Sequence, residues 1–546
     1  MNVLLLFLFL FISIDTGLCH DSGLNPDRQI NKPDKTLKIA LIHLNVIYKD
    51  LETNTRHLLD LNKKAAESGV DLILNTEMAA SGYSFTSRED IADYTVSEHG
   101  KLLSGLAGIA KENGVYIVAG AAEKDSGNGI YYNSSFAFDP DGKLICKYRK
   151  INAESKWACP GQADQNGIFD TPWGRLGMLI CSDSYYGLMP RSMALQGVNL
   201  LLIPANWPPG EIDPVEIWRA RVMENGFFIA VCNRTGMDRI MDCNKGLSCL
   251  INPDGEAIFS GSSEDSQIFF TNIPLDKYGK ICGKKQKKIM AERDTCYFKN
   301  IYLDLRLTPD LTEHYELPEP GILSVECLVS PEKSGLNAKF IENKLQESYK
   351  NKTPFIILPR TSSSVLSRKE LLLLSKRFNA GFSIALAGKA DKTEYLLITP
   401  DGLESYIAGT ANINREIPFP ISDFGSARIA MVPYQFFKHP EIAVALAKSG
   451  CDLVVLSEEN LDSENHLLTG IKTIENVAIA ICANNRASIF MPPVACHRWV
   501  EKGMDAFGIC SFQIDTSKTR TKRFQDRINF ELLLQPELSD FLLDPR

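Results

Sequence analysis

Three side chains in the first half of the chain close apolar runs. Glu77 ends DLILNTE (71–77), Lys150 ends KLICKYRK (143–150) and Cys181 ends RLGMLIC (175–181). Read as strands, these runs carry a carboxylate, an ammonium and a thiol to strand ends, where chemistry gathers in α/β sheets. A thiol at a strand-to-turn junction can attack a carbonyl carbon. A carboxylate can take the thiol proton and hand it to a departing amine. A lysine, with the backbone N–H of Ser182 that follows the thiol, can hold the charge that develops on the carbonyl oxygen. Each residue alone is bland, since a cysteine in an apolar run is usually a core residue. The joint placement carries the reading.

Strand–helix alternation surrounds these positions. LKIALIHLN (37–45) reads as a strand, 51–68 has helical apolar spacing, and a helix over 102–113 precedes the strand VYIVAGAA (115–122). Residues 131–150 read as two strands around a Pro-Asp-Gly turn. Helices over 189–196 and 215–225 precede the strands VNLLLIPAN (198–206) and FFIAVCNR (227–234). This alternation predicts a layered α/β sandwich. The second half repeats the order: ILSVECL answers KIALIHL, PFIILPR answers DLILNTE, and ITPDGLESYIAGT answers FDPDGKLICKYRK. RIAMVPYQFFKHP answers RLGMLICSDSYYG, and IENVAIAICANNR answers MENGFFIAVCNR. We read a duplication. Its second copy has Arg360 in place of Glu77, Thr410 in place of Lys150 and Tyr434 in place of Cys181, and is therefore expected to lack hydrolytic chemistry.

The segments TEMAASGY, KYRKINAESKWACPG, GRLGMLICSDSYYG and RARVMENGFFIAVCNR resemble the hallmark blocks of the nitrilase, or carbon–nitrogen hydrolase, superfamily over about residues 38–272. The resemblance implies two αββα four-layer sandwiches in tandem and a Glu77–Lys150–Cys181 triad, with Glu154 as a second glutamate that positions the lysine and the substrate. It also implies amide cleavage through a cysteine thioester, with no cofactor and no metal. Tyr83, Trp157, Ser182, Asn206 and Trp207 flank these blocks and are candidate substrate contacts, although core packing accounts for the aromatic residues equally well. Family members pair two sandwiches through the helices beside the nucleophile, so the second copy is expected to serve as that partner within one chain, with 441–448 against 189–196. Vanin- and biotinidase-like secreted amidohydrolases share the layout and stay open as an alternative, as does a non-catalytic binding protein of this fold. Glutamine-dependent NAD synthetase is set aside because 318–546 holds no Ser-Gly-Gly-rich phosphate loop.

The balance of 59 basic and 67 acidic residues in 546, a net charge of −8 with no basic block, gives no footprint for nucleic acid. The ten-residue run VLLLFLFLFI (3–12) is too short to span a bilayer and matches the apolar core of an export signal, so a secreted or periplasmic destination is expected. The resulting division is a leader over 1–19, a linker over 20–35, an active hydrolase domain over 36–300 and a degenerate copy over 318–533. Among 14 cysteines, the pairs Cys243/Cys249 and Cys282/Cys296 are the candidate disulfides. Three Asn-x-Ser/Thr sequons, at Asn133, Asn233 and Asn351, decide nothing.

Overall fold

The computed structural model describes residues 36–162, 167–210, 213–297, 299–302, 310–329, 336–348, 354–362, 366–388, 393–407, 418–493, 499–504, 508–520, 523–525 and 528–529. The expected leader, the linker, Asn351 and Thr410 lie outside them, as does the side chain of Cys296.

The first copy is built on two six-stranded sheets. One contains β1 (Thr36–His43), β2 (Leu72–Asn75), β3 (Tyr116–Lys124), β4 (Tyr131–Phe138) and β5 (Leu144–Arg149) in that order, with β12 (Gln267–Pro274) on the far side of β1. The other contains β6 (Ile168–Thr171), β7 (Gly174–Met178), β8 (Leu200–Pro204), β9 (Phe228–Cys232), β10 (Ser248–Ile251) and β11 (Ala257–Gly261). Strand alternation divides the side chains between layers. On β1, Leu37, Ile39 and Leu41 enter the core between the sheets, while Ala40 and Ile42 face the helix layer.

That outer layer is α1 (Leu51–Glu67) and, beyond the short α2 (Arg88–Ile91), α3 (Lys101–Asn113). Asp50 caps α1 by accepting from the Thr53 N–H at 3.0 Å, and Gly114, at φ +68°, ends α3. The second sheet is covered by α4 (Leu188–Leu195) and α5 (Pro214–Asn225), the latter capped by Asp213 with Pro214 in its first turn. The helix α6 (Lys284–Ala291) follows.

After the four-residue α7 (Leu311–His314), the second copy repeats this plan with one short strand added. One sheet runs β25 (Gly508–Asp515), β13 (Ile322–Val329), β14 (Pro354–Ile357), β16 (Gly381–Ala387), β17 (Thr393–Thr399) and β18 (Gly402–Ile407), with the two-residue β15 (Thr361–Ser362) attached to β16. The other runs β19 (Ile421–Phe424), β20 (Ala427–Met431), β21 (Leu453–Ser457), β22 (Ala478–Cys482), β23 (Ala487–Met491) and β24 (Val500–Met504). Parallel and antiparallel pairings occur at corresponding places, as in β1–β2 and β13–β14 (parallel) and β1–β12 and β13–β25 (antiparallel). Helices α8 (Ala338–Ser348) and α9 (Arg368–Phe378) cover the first of these sheets. The short α10 (Tyr434–Phe437) leads into α11 (Pro440–Lys448), which with α12 (Ser463–Ile471) covers the second. Two αββα sandwiches therefore stand in tandem.

The two copies meet through their inner helices, α4 against α11 and α5 against α12. One apolar cluster runs unbroken from the first intersheet core across these helices into the second. Charges are buried along the seam. Glu441 of α11 pairs with Arg191 of α4 at 3.3 Å and with Arg293 at 2.8 Å. Glu224 of α5 pairs with Lys472, just past α12, at 2.5 Å and with Arg221 at 2.6 Å. Among the described residues no helix is long and apolar enough to cross a membrane.

The structure corrects one expected disulfide. Cys243 and Cys249 are both buried free thiols. Cys249 is fixed in the β9–β10 register opposite Val231, whereas the Cys243 thiol turns toward the Asn206 side-chain oxygen at 3.7 Å.

Candidate active site

The chain turns sharply after β7, and Cys181 sits in that turn at φ +45°, in the left-handed region that a non-glycine residue occupies only under constraint. The constraint is visible. The Ser184 hydroxyl donates to the Cys181 carbonyl at 2.6 Å, and the Trp218 indole N–H of α5 donates to that hydroxyl at 3.0 Å. Arg221, one turn along α5, donates to the Tyr185 carbonyl at 2.5 Å. Asp183 ties the turn to the segment after Lys150, accepting from the Asn152 N–H and the Tyr148 hydroxyl, each at 2.8 Å. The Asn206 backbone N–H, at the end of β8, points at the Cys181 sulfur. Burial, and then the Glu77 charge, push the Cys181 thiol well above its ordinary range, so it rests as a neutral S–H that needs a base.

The candidate base is Glu77, whose charge acts on the Cys181 thiol. Glu77 follows β2, and β3 carries Gly120 beside it because a Cβ there would stand 2.7 Å from the Glu77 Cα. Lys150, directly after β5, has its Nζ between two carboxylates, 2.8 Å from Glu77 Oε1 and 2.5 Å from Glu154 Oε1. Asn133 of β4 spans the same two acids, its amide Nδ2 donating to Glu77 at 2.7 Å and to Glu154 at 3.0 Å. The Tyr83 hydroxyl donates to Glu154 at 2.7 Å. Burial raises the Glu77 carboxyl above the ordinary carboxylate range, and Glu154 adds to the rise. Glu154 is held lower: burial opposes its charge, but Lys150 and hydrogen bonds from Tyr83 and Asn133 outweigh it. Lys150 likewise overcomes burial through Glu154 and Glu77 and stays protonated. Two acids whose environments push them apart in this way can divide the work, one as a fixed anion and one as a proton carrier. The second Glu77 oxygen, Oε2, is buried without a hydrogen-bond partner among the described residues, free for the thiol or for substrate.

Of the nine candidate residues, the structure joins Glu77, Lys150, Glu154 and Tyr83 in one hydrogen-bonded set and places Asn206 at the Cys181 sulfur. Ser182 is the next residue of the nucleophile turn. Trp207 stacks on Tyr185 with ring centroids 5.9 Å apart, and Asn233 clamps its backbone at both N–H and carbonyl. Trp157 does not join this set; it packs in a cluster with Met78, Phe85, Ile91 and Ala122.

Three supports escaped the sequence reading. Asn133 registered only as a sequon, yet it is fully buried between the acids. Asp183, two residues after Cys181, carries no local signal of its role in the sequence. The pair Arg234–Asp238, 3.1 Å apart, binds the Tyr83 and Ser84 backbone N–H groups through Asp238 and Asn206 through Arg234. In the second copy the corresponding region holds half-buried Arg360 and Tyr434 around Glu458, which accepts from the Tyr434 N–H at 3.2 Å.

A carbon–nitrogen hydrolase family model matches residues 38–281. Omega-amidase NIT2-B of Xenopus laevis is 30% identical over 230 residues, covering 39% of this chain and 81% of that protein. Omega-amidase NIT2 of Mus musculus is 29% identical over 273 residues, 47% of this chain and 95% of that protein. A nitrilase of Pyrococcus abyssi is 29% identical over 247 residues, 44% of this chain and 90% of that protein.

Proposed function

The chain belongs to the carbon–nitrogen hydrolase family, and from that premise we propose that it is an exported amidase that opens a small carboxamide or N-acyl amide through a thioester on Cys181. The observation that carries this reading is Lys150 held between Glu77 and Glu154 at 2.8 and 2.5 Å, with Asn133 bridging the same acids. The names of the relatives, ω-amidase and nitrilase, support a carbon–nitrogen bond as the target.

Glu77 takes the thiol proton as the Cys181 sulfur bonds to the carbonyl carbon. Charge on the carbonyl oxygen is met by the Lys150 ammonium and the backbone N–H after Cys181. As the C–N bond breaks, Glu77 gives its proton to the nitrogen, and ammonia or an amine departs. Water then loses a proton to Glu77 and attacks the thioester carbon. The C–S bond breaks, the acid leaves, and the proton returns to sulfur. Around the thiol the charges are Glu77, Glu154 and Lys150. Two acids against one ammonium disfavour a carboxylate close to the scissile bond and suit a neutral acyl group.

The second copy stands in for the second subunit, a reading supported by the buried pairs of Glu441 and Glu224 along the seam. Export rests on the apolar run at 3–12, and amino-terminal sequencing of the secreted protein should begin near His20. Screening an amide panel for ammonia or amine release, with Cys181→Ala as the blank, tests the activity. Turnover by the unsubstituted protein alone supports it, and identical behaviour of both proteins across the panel refutes it. Light scattering on the eluting protein tests the subunit reading, which an obligate homodimer burying α4 against its own copy would overturn.

A further inference from the structure

The turn that carries Cys181 is held from two sides, and one of those sides belongs to the inactive copy. Glu475, in the 3-10 turn Lys472–Glu475 after α12, reaches across the seam. Its Oε1 accepts from the Gly187 backbone N–H at 3.2 Å. Gly187 is the N-cap of α4, six residues past the nucleophile. The approach is close enough to require glycine: a Cβ there would stand 2.6 Å from the Pro440 Cβ of the second copy and 3.4 Å from Glu475 Oε1. A second line runs in parallel. Lys472 pairs with Glu224 at 2.5 Å, Glu224 orients Arg221 at 2.6 Å, and Arg221 donates to the Tyr185 carbonyl at 2.5 Å. Both lines end within 184–187. Every side chain in them is buried to within 2% of full burial.

Cys181 itself is at φ +45°, a conformation that persists only when its surroundings overdetermine it. Removing either line leaves the strained turn with one constraint fewer. Building on the proposed thioester chemistry, we propose that Glu475 and Lys472 of the second copy are positioning residues for Cys181, holding the nucleophile turn through the Gly187 N–H and through Glu224–Arg221. They touch no substrate. Their effect is on how often the thiol stands in line with the carbonyl carbon and the Glu77 carboxylate, which enters kcat rather than binding.

The test compares Glu475→Ala, Glu475→Gln and Lys472→Met in the full chain. Glu475→Ala and Lys472→Met are expected to lower kcat about tenfold or more with KM within about twofold. Glu475→Gln, whose amide oxygen still accepts from the Gly187 N–H, should recover kcat to within about threefold of the unsubstituted protein. Lys438→Ala breaks the ion pair to Glu292 at the partly exposed edge of the same seam and should leave kcat unchanged. The rate of Cys181 alkylation by iodoacetamide should fall in step with kcat, and it reads the same device without any substrate. Glu475→Ala with unchanged kcat and alkylation rate overturns the proposal. So does an equal loss in Lys438→Ala, which would mark a general weakening of the seam. If Glu475→Ala does not fold, Glu475→Gln and Lys472→Met decide: equal loss in both, or loss in neither, overturns it. A protein that turns over no amide refutes the amidase reading instead, and the alkylation rates then decide the positioning role alone.

Discussion

Replacing Asn133 with leucine removes both amide hydrogen bonds from the site while keeping the branched shape of the side chain. In the native protein one Asn133 amide nitrogen serves Glu77 at 2.7 Å and Glu154 at 3.0 Å. Burial lifts the Glu77 carboxyl above its ordinary range, Lys150 pulls it back, Glu154 pushes it up again, and the Asn133 hydrogen bond supplies further downward pull. Taking Asn133 away removes only a stabiliser of the anion, so Glu77 stays protonated to higher pH and the acid limb of kcat/KM moves upward. A hydrogen bond to a charged group contributes about 1.5–3 kcal/mol. At about 1.4 kcal/mol per factor of ten, kcat/KM on the acid limb should fall about tenfold to a hundredfold. On the alkaline plateau Glu77 is ionised in both proteins, and the more basic carboxylate takes the thiol proton at least as readily, so the loss there should stay within about threefold. Initial rates of ammonia or amine release across pH, with tryptophan fluorescence recorded at each point to verify folding, give the comparison. An equal loss at every pH would show that Asn133 only orients the acids, and an unchanged profile would remove it from the site. Asn133→Asp sharpens the case, because a third carboxylate between two others should abolish turnover at all pH values.

Glu441→Ala leaves buried Arg191 and Arg293 without the Glu441 carboxylate and should cost about 3–5 kcal/mol in urea unfolding, while Arg191→Met with Glu441→Leu, which still leaves Arg293 without that carboxylate, should recover only part of it. Tyr434→Phe removes only the hydroxyl that donates to the Asn465 carbonyl at 3.3 Å, so amide turnover should match the unsubstituted protein in steady-state assays. His439 is pushed down to about 3 and His43 to about 4, chiefly by burial. The unfolded chain therefore takes up protons below about 6.5 that the folded chain refuses, and stability should decline as pH falls from that value toward 3. In His439→Gln the urea midpoint should decline less steeply over that interval.

Much of this site is legible in one sequence because the triad residues stand where local pattern changes. Glu77, Lys150 and Cys181 each end an apolar run, and the end of a strand is a feature that periodicity exposes. The duplication is legible for the same reason, since matching runs recur in matching order, and both copies build the same sheet order. Asn133 has no such signal. It is a polar residue in the middle of β4, and only the neighbouring strand and the loop after β5 bring it to two acids distant in sequence. Arg234 and Asp238 bridge loops that follow different strands, so neither has a local partner pattern. Cys243 and Cys249 looked like a pair because they are near in sequence, whereas sheet register places the second on a strand and the first at the Asn206 loop. For Trp157 beside Glu154 the sequence leaves substrate contact and core packing equally open, and the fold packs the indole with Met78, Phe85, Ile91 and Ala122.

Gly187 lies six residues beyond Cys181, and Pro440 lies six beyond Tyr434, so corresponding positions of the two copies meet where a Cβ on Gly187 would strike the proline ring. Glu224 and Glu475 are likewise equivalent, each heading a Glu-Asn pair that ends the inner helical layer of its copy. A residue that faces its own counterpart marks a twofold axis, and in a homodimer any substitution on such an axis is made on both sides at once. Joining the halves in one chain lifts that restriction. Proline has no N–H, so Glu224 has nothing at Pro440 to hold as Glu475 holds Gly187. The seam is consequently polarised: its hydrogen bond to the Cys181 turn has no counterpart at Pro440.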